Sequence, residues 1–465
     1  MTCNGKCLMQ GVAAVALAAA AFALCGFAGG VQLTASLTVA AVAAIAIYRR
    51  VLHGSNAGEW VLTATAAVMA MGVTLNVYYY TTVVGGTLDA PILINDDSSR
   101  YFRAAECIMA GNYGELEGSF AGVPLMTAAL WAIFGKSIVW PLAANVFLTL
   151  FAIALGGRLA AILLRRDTAT SALAMALTAS VCHFTGEGMI LLKEPMVYVG
   201  LMLTAIPLAH FYRGNRLSAR SIAAFAAGCI VTTSVRNQSL YFVALGIIAF
   251  LPLHFSRRRA YTAAAALAIV AGSHFAGATV SHYDAAKQSR VIGGTGLMSE
   301  NYLGDDSRYD AYKSIIGNYY DLPTVQRAAL LPVTAAVQYA VPFPWNYARD
   351  TEFGYSQALN HFAYPWYALG GIIIFYYLWL LCRRDTPIKL WALWAMVCWL
   401  IPAYIYGGSV SRYVMPFVPC LVPMAIVAID RLRSGQLRKT FKWWSVGYAT
   451  ALAVALTVCY IVQMR

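Results

Sequence analysis

This sequence has unusually few charged residues. Only 11% of its 465 residues are charged, whereas 60% are hydrophobic. A soluble domain typically carries about 25% charged residues on its water-facing surface. This shortage excludes an ordinary soluble fold and predicts a protein that lies largely in a lipid bilayer.

Several functional signatures are also missing. The sequence has no glycine-rich nucleotide-binding loop followed by a soluble catalytic domain. Most of the ten cysteines lie in apolar runs, where Cys behaves as a small hydrophobic residue, and no structural disulfide is predicted. No spacing of His, Cys and carboxylate residues is typical of a zinc site. These absences argue against nucleotide-driven and zinc-dependent chemistry.

Apolar runs of about 20 residues recur along the chain, and each is long enough to cross a ~30 Å hydrocarbon core as a helix. Open strands are excluded there because lipid cannot satisfy their backbone groups. We therefore predict an all-α polytopic membrane protein with about 13 transmembrane helices, forming a single integral-membrane domain over residues 1–465. The predicted spans are 9–29, 31–48, 60–82, 138–164, 168–186, 190–212, 217–234, 237–255, 260–280, 365–382, 387–406, 412–430 and 443–463.

The positive charge is distributed as in a membrane protein. Short basic tracts such as Arg49-Arg50, Arg165-Arg166 and Arg257 to Arg259 separate the apolar runs, which is typical of cytoplasmic loops. This orientation places only four carboxylates on the cytoplasmic side, namely Glu59, Asp167, Asp385 and Asp430. The net charge of +13 therefore indicates topology and not nucleic-acid binding. We expect a bacterial inner (cytoplasmic) membrane protein with a cytoplasmic N-terminus.

Two long extracytoplasmic loops interrupt the predicted spans, at residues 83–137 and 281–364. Each contains an apolar stretch that is too short to span, Gly122 to Phe134 in the first and Ala328 to Val341 in the second. We predict short interfacial helices at these stretches, the first of which could instead be re-entrant.

Charged and polar residues from distant parts of the chain share the extracytoplasmic ends of the spans. Ionisable groups at membrane depth cost about 2.5–3.5 kcal/mol each, so every one is a candidate for function. The candidates are Asp96, Asp97, Arg100, Tyr101, Glu187, Lys193, Glu194, Arg236, Asn237, His361 and Arg412.

These residue types suit one class of reaction. A carboxylate near the membrane surface can take the proton of an acceptor hydroxyl. Arg binds a phosphate through its planar fork, and Lys binds it as a point charge. A lipid-linked sugar phosphate needs both groups, because its anomeric carbon must face the base while its phosphate leaves among the cations. We assign Lys193, Arg236 and Arg412 to the donor phosphate, and Glu187, Glu194, Asn237 and His361 to substrate binding.

The first outer loop resembles that of a known family. Asp96-Asp97-Ser-Ser-Arg100-Tyr101, followed by Ala104-Ala105 and Gly111-Asn-Tyr113, is similar to the corresponding loop of the GT-C superfamily of integral-membrane glycosyltransferases. Later stretches that resemble landmarks of the same family are Phe134-Gly135, Pro342-Phe-Pro344-Trp345 and Arg412-Tyr413-Val-Met-Pro416 with Pro419.

The resemblance implies a polyprenyl-phosphate-sugar-dependent transferase whose catalytic base is Asp97, with Asp96 as the close alternative. It places Arg100 beside the donor phosphate, Tyr101 among the substrate contacts, and Lys193 with Glu194 at a second charged turn. Arg412 becomes a late phosphate contact or a structural anchor. The chain departs from the better-known members because two extra predicted spans precede the acidic loop.

Structural roles remain open for the same residues. Asp96 could cap a helix, and Glu187 could be a solvated turn residue. Lys193 or Glu194 could form an ion pair with another span. Other structural roles are headgroup contacts by Arg236 and Arg412 and an ordinary loop position for His361.

The leading hypothesis is an inverting membrane glycosyltransferase that moves a sugar from a polyprenyl-phosphate donor to an extracytoplasmic lipid, glycan or protein. No cofactor is required, although a divalent metal is compatible with Asp97 and a phosphate. One alternative is a transporter or lipid flippase. Another is a glycan polymerase or ligase that uses residues of the second outer loop, Arg290, Arg308, Arg327, Arg349 and His361.

Overall fold

The computed structural model describes residues 30–83, 85–90, 96–112, 121–236, 238–280, 322–340, 363–384, 387–405 and 413–464. Within these ranges every regular element is a helix or a helical turn, and none is a strand. The prediction of an all-α protein is therefore confirmed for the described part of the chain. The first predicted span, 9–29, lies outside the described residues.

The helices of the N-terminal two thirds are α1 Gly30–Arg50, α2 Asn56–Tyr78, α3 Asp96–Met109, α4 Gly122–Phe134, α5 Val139–Leu164, α6 Thr168–Ala179, α7 Cys182–Gly186, α8 Glu194–Tyr212, α9 Ala219–Arg236, α10 Ser239–Phe250 and α11 Arg257–Val280. Those that follow are α12 Thr324–Ala329, α13 Leu331–Ala340, α14 Ala363–Cys382, α15 Lys389–Ile405, α16 Val418–Arg433 and α17 Arg438–Met464. A π-helical turn, Tyr79–Val83, extends α2.

Some of the described helices are long and apolar enough to cross a membrane. There are five of them: Gly30–Arg50, Asn56–Thr82, Val139–Leu164, Glu194–Tyr212 and Met415–Arg433. Shorter apolar helices lie at Gly122–Phe134, Thr168–Ala179, Ser239–His254, Tyr367–Cys382 and Lys389–Tyr404. A membrane protein requires helices of this length and apolar composition. The number of thirteen spans and the interfacial position of the loop helices stay predictions.

Two helix boundaries differ from the predicted spans, and both lie beside the candidate site. The helix predicted over 168–186 ends at Ala179, where the Ser180 hydroxyl donates to the Leu177 carbonyl at 2.8 Å. The helix predicted from 190 begins only at Glu194, with Pro195 in its first turn. The hydropathy pattern did not predict where the first helix ends or where the second begins, because the residues between them are almost as apolar as the helices.

The chain divides into two compact units. The first holds α1 to α11 with the start of α16, Val418–Pro423, and the second holds α12 to α15, the remainder of α16 and α17. The sequence prediction of a single membrane domain is left as a prediction.

In the first unit, α8 and α9 approach each other through small residues. Both carry a Gly-x-x-x-Thr pattern, Gly200 with Thr204 and Gly228 with Thr232. A methyl group added at Gly228 would lie 2.7 Å from the Gly200 carbonyl oxygen and 2.9 Å from Thr204 Cγ2. Small residues let membrane helices pack backbone to backbone, so this pattern sets the spacing of α8 and α9.

Gly228→Leu is therefore expected to destabilise the protein by about 1–3 kcal/mol, because its side chain has no room between the two backbones. Gly272→Leu on α11 is the matched control, since nothing lies within 4 Å of a methyl group there. Thermal unfolding in detergent should show a lower midpoint for Gly228→Leu only. Equal midpoints for both variants would contradict the packing.

In the second unit, aromatic side chains connect α17 to α14. The Tyr448 hydroxyl of α17 donates to the Tyr367 carbonyl of α14 at 2.7 Å, and the Trp444 indole donates to the Gly371 carbonyl at 3.3 Å. Arg327, a residue of the polymerase alternative, is buried with its guanidinium 5.7 Å from the centre of the Tyr404 ring. The other residues of that alternative lie outside the described ranges.

Candidate functional site

Helix α3 has one buried face and one polar face. Ser98, Tyr101 and Phe102 are buried, as helical spacing predicts for an amphipathic segment that packs on a core. Asp97 is half-buried at the edge of that buried face. Arg100 is exposed, and Arg103 is exposed one turn further along on the same side. The exposed side of the helix therefore presents two cations, with the Asp97 carboxylate about one turn from the first of them.

Helix α4 fixes the orientation of α3. The Phe102 ring meets the Trp131 ring edge to face, with the ring centres 4.6 Å apart. The ammonium of Lys136 lies 2.6 Å from Glu106 Oε1 and 5.4 Å from the centre of the Phe102 ring. Since both contacts lie on α3 beyond Arg100, they anchor the C-terminal half of the helix.

A non-helical segment, 190–193, precedes α8 and is held by polar side chains from the surrounding helices. Asn145 of α5 donates its amide to the carbonyls of Ile190 at 2.8 Å and Leu192 at 3.0 Å. Asn76 of α2 donates to the Met189 carbonyl at 3.4 Å. Irregular backbone at membrane depth must find such partners, because lipid offers none.

Ser98 links α3 to this same segment. Its hydroxyl donates to the Leu191 carbonyl at 2.8 Å, and the bond is buried. Because Asp97 precedes Ser98, and Lys193 follows Leu191 by two residues, the bond brings the chain around Asp97 to the chain around Lys193. This contact joins the segment that carries α3 to the turn that carries Lys193.

Ser98→Ala is expected to destabilise the protein by about 1 kcal/mol, because the buried Leu191 carbonyl loses its donor. Ser99→Ala is a matched control on the next residue, since the Ser99 hydroxyl is also buried but has no hydrogen-bond partner among the described residues. Hydrogen exchange of the backbone amides at 96–102 should increase for Ser98→Ala alone. Equal exchange in the two variants would show that the bond does not hold α3.

Glu194 and Arg236 form a buried ion pair. Arg236 Nη2 lies 2.6 Å from Glu194 Oε1, and the two side chains are 7% and 0% exposed. The pair joins the N-terminal end of α8 to the C-terminal end of α9. The structure therefore displays the ion pair that was open to Glu194. For Arg236 this pair differs from the headgroup contact that the sequence had left open, and the substrate and phosphate roles of both residues stay predictions.

Helix α4 reaches the same end of α9. A methyl group added at Gly122 would lie 2.6 Å from Ser234 Oγ and 2.9 Å from the Ser234 carbonyl oxygen. The close approach needs glycine at this position. Consequently α4 connects the loop that carries α3 to the helix end that carries Arg236.

Glu187 is tied to α8 by a hydrogen bond from the Tyr198 hydroxyl to Oε2 of its carboxylate. The Tyr198 ring stacks on Phe184 with the ring centres 4.0 Å apart. The half-buried Glu187 is thus held beside the first turns of α8 and is not a freely solvated turn residue.

One carboxylate near the site has a shifted pKa. The hydrogen bond from the Thr87 hydroxyl, followed by a backbone hydrogen bond and the charge of Lys136, lowers the pKa of the exposed Asp89 carboxyl. Asp89 therefore carries its negative charge throughout the neutral range. It adds to the mixed charge of the first outer loop without belonging to α3.

Asp97, Arg100 and Tyr101 of α3 belong to the same unit as Glu187, Lys193, Glu194 and Arg236, and the Ser98–Leu191 hydrogen bond links α3 to the turn before α8. Tyr101 is 4% exposed and belongs to the packed face of α3. Asp96 begins α3, but its side chain is outside the described part. Three further predicted residues also lie outside the described residues, namely Asn237, His361 and Arg412.

Sequence reasoning overlooked Arg103, Asn76, Asn145, Ser98 and Tyr198. Three of these could have been found. Asn76 and Asn145 each interrupt an apolar run that is predicted to span, and polar residues in such positions are rarely without a role. Arg103 follows Arg100 at helical spacing, which predicts a shared face.

The arrangement can support proton transfer beside a bound phosphate. It offers a half-buried carboxylate, two exposed guanidiniums and a lysine at the adjoining turn, all mounted on a frame of buried hydrogen bonds and one buried ion pair. Among the described residues, no cluster of three His, Cys, Asp or Glu side chains could hold a metal ion. No family model, curated protein or solved structure matches the chain.

Proposed function

We propose that this chain is an integral-membrane glycosyltransferase of the inner membrane. It transfers a sugar from a polyprenyl phosphate to an acceptor on the extracytoplasmic side and inverts the anomeric carbon. The observation that carries the proposal is helix α3, where the half-buried Asp97 lies about one turn from the exposed Arg100 and Arg103 is exposed one turn further along.

The proposed reaction follows from the chemistry of these groups. The Asp97 carboxylate takes the proton of the acceptor hydroxyl as the acceptor oxygen bonds to the anomeric carbon. The bond from that carbon to the phosphate oxygen breaks, and the electron pair leaves with the polyprenyl phosphate. Arg100, Arg103 and Lys193 stabilise the phosphate as its charge increases. The donor's prenyl tail remains in the bilayer, so the step needs no nucleotide.

The buried hydrogen bond and the buried ion pair provide the fixed geometry that such a step requires of a protein. A transferase must hold its base and its phosphate contacts in a fixed relation, because small displacements of reacting groups lower the rate steeply. The Ser98–Leu191 hydrogen bond holds α3 to the 190–194 turn, and the Glu194–Arg236 ion pair holds that turn to the end of α9. In this proposal Arg236 holds the turn in position and affects the phosphate only indirectly, through the position of the turn.

Mass spectrometry of cells with and without the gene tests the proposal. Loss of the gene should leave one polyprenyl-phosphate sugar in excess and remove the same sugar from a surface lipid, glycan or protein. Restoring the wild-type gene should reverse both changes. Unchanged donor pools and unchanged surface glycans would contradict the proposal.

A further inference from the structure

A second feature lies at the opposite end of α8 from Glu194. There α8, α9, α10 and α11 enclose a cavity of about 320 Å³. Its walls are mainly aliphatic and aromatic, with Pro207, Leu208, Phe225, Ile247, Ala266 and Ile269 among them. The volume is at the lower end of the ~300–1,000 Å³ typical of ligand pockets. An apolar chain would fit such a space, and a polar molecule would not.

The cavity opens to the outside of the unit between α9 and α11. Two of its lining residues, Ile222 and Tyr261, are 47% and 74% exposed. Their exposure shows that these two helices leave the cavity uncovered on that side. In a membrane protein, such an opening lets a hydrocarbon chain enter from the bilayer.

One arginine is part of the cavity's frame. Arg259 donates to the Phe211 carbonyl, and its guanidinium lies 4.2 Å from the centre of the Phe211 ring. The contact joins the end of α8 to the start of α11 beside the part of the cavity wall that Phe211 forms. The Arg259 side chain is therefore engaged in a structural contact with Phe211.

Other arginines, at the opening, or mouth, of the cavity between α9 and α11, make no such structural contact. Arg258 lines the cavity, and Arg216, Arg220 and Arg257 flank its lining residues; all four are exposed. Within the described part of the chain, their side chains have no hydrogen-bond or ion-pair partner. From Pro195 to Val280 the sequence contains no Asp or Glu at all. The mouth thus carries positive charge that no carboxylate of its own helices compensates.

Two helix starts add to this charge. The Ser218 and Ser256 hydroxyls accept from the backbone amides of Ser221 at 3.2 Å and Arg259 at 3.3 Å, so they cap α9 and α11. The N-terminal end of a helix carries a partial positive charge. Both ends lie among the arginines of the mouth, which favours an anion there.

We propose that this cavity binds an anionic phospholipid, with one acyl chain between α9 and α11 and the phosphate on Arg258 and its neighbours. Basic pockets between membrane helices recognise anionic headgroups in this way. The small volume suits a segment of one chain, while the second chain remains in the bilayer. The proposal does not depend on the transferase site, which lies at the other end of α8.

Native mass spectrometry of the purified full-length protein tests this assignment. Phosphatidylglycerol and phosphatidylcholine with identical acyl chains are titrated into the detergent-solubilised protein. Phosphatidylglycerol should bind about tenfold more tightly, and the double variant Arg220→Gln with Arg258→Gln should lose that preference. Arg383→Gln with Arg384→Gln, two exposed arginines of the second unit, is the matched control and should keep it.

A second variant tests the cavity itself. Ala266→Phe places a ring in the acyl-chain space and should weaken phosphatidylglycerol binding at least tenfold without changing any charge. If that variant fails to fold, the arginine variants still decide, because their side chains are exposed. The proposal is overturned if both phospholipids bind alike, or if the control loses the preference. It is also overturned if folded Ala266→Phe binds normally, or if polyprenyl phosphate displaces phosphatidylglycerol at equal concentration.

Discussion

Asp97→Asn is expected to lower the rate of sugar transfer by about 10²- to 10⁴-fold, the contribution typical of a positioned general base. Asparagine has nearly the same shape as aspartate but cannot accept the acceptor's proton at neutral pH. The variant should still insert into the membrane and unfold at the same temperature as the wild type. Transfer is measured on purified protein with a polyprenyl-phosphate sugar extracted from cells that lack the gene.

The matched control for this variant is Asp89→Asn. Asp89 is an exposed carboxylate of the same outer loop, but it lies outside α3. Its replacement should leave the transfer rate within about twofold of the wild type, as is usual for surface changes away from a site. Full activity in both the Asp97 and the Asp96 variants would show that neither carboxylate is the base.

Glu194→Leu is expected to destabilise the protein by about 3–5 kcal/mol, because it leaves the Arg236 charge buried without its partner. The thermal midpoint in detergent should fall by on the order of 10 °C. The double variant Glu194→Leu with Arg236→Met should recover most of that loss, since two apolar side chains fill the space of the pair. A midpoint for the double variant below that of Glu194→Leu would contradict the account of a buried pair.

The same double variant separates the two roles of Arg236. If Arg236 only positions the turn, the folded double variant should retain transfer with a nearly unchanged KM for the donor. If Arg236 contacts the donor phosphate, that KM should rise even though the protein is stable. Measuring stability and KM on one variant keeps these two effects apart.

Most of the helices could be predicted from the sequence, because apolar runs bounded by basic tracts leave few alternatives. The described helices correspond to predicted spans or to the two short apolar stretches of the long loops, except α3, Asp96–Met109, where no helix was predicted. The helix end at Ala179 and the late start of α8 at Glu194 were not predicted. The irregular backbone around Ile190 is held by hydrogen bonds from Asn145 and Asn76, which are far away in the sequence.

The candidate site was predictable as a set of residues but not as an arrangement. Topology alone assigned Asp97, Lys193 and Arg236 to one side of the membrane. It could not show that Arg236 pairs with Glu194, which lies 42 residues earlier and on another helix. Nor could it distinguish Arg100, which is exposed, from its neighbour Tyr101, which is buried. Such distinctions arise from how helices pack, and a single sequence does not reveal that packing.

The most direct test of the proposed transferase follows the donor itself. Purified protein is reconstituted into vesicles with a polyprenyl phosphate that carries a labelled sugar, together with an extract of extracytoplasmic acceptors. The account predicts that free polyprenyl phosphate appears in equal amount to labelled acceptor, and that Asp97→Asn abolishes both. Movement of the intact lipid-linked sugar between leaflets without release of polyprenyl phosphate would contradict it, and would indicate a flippase.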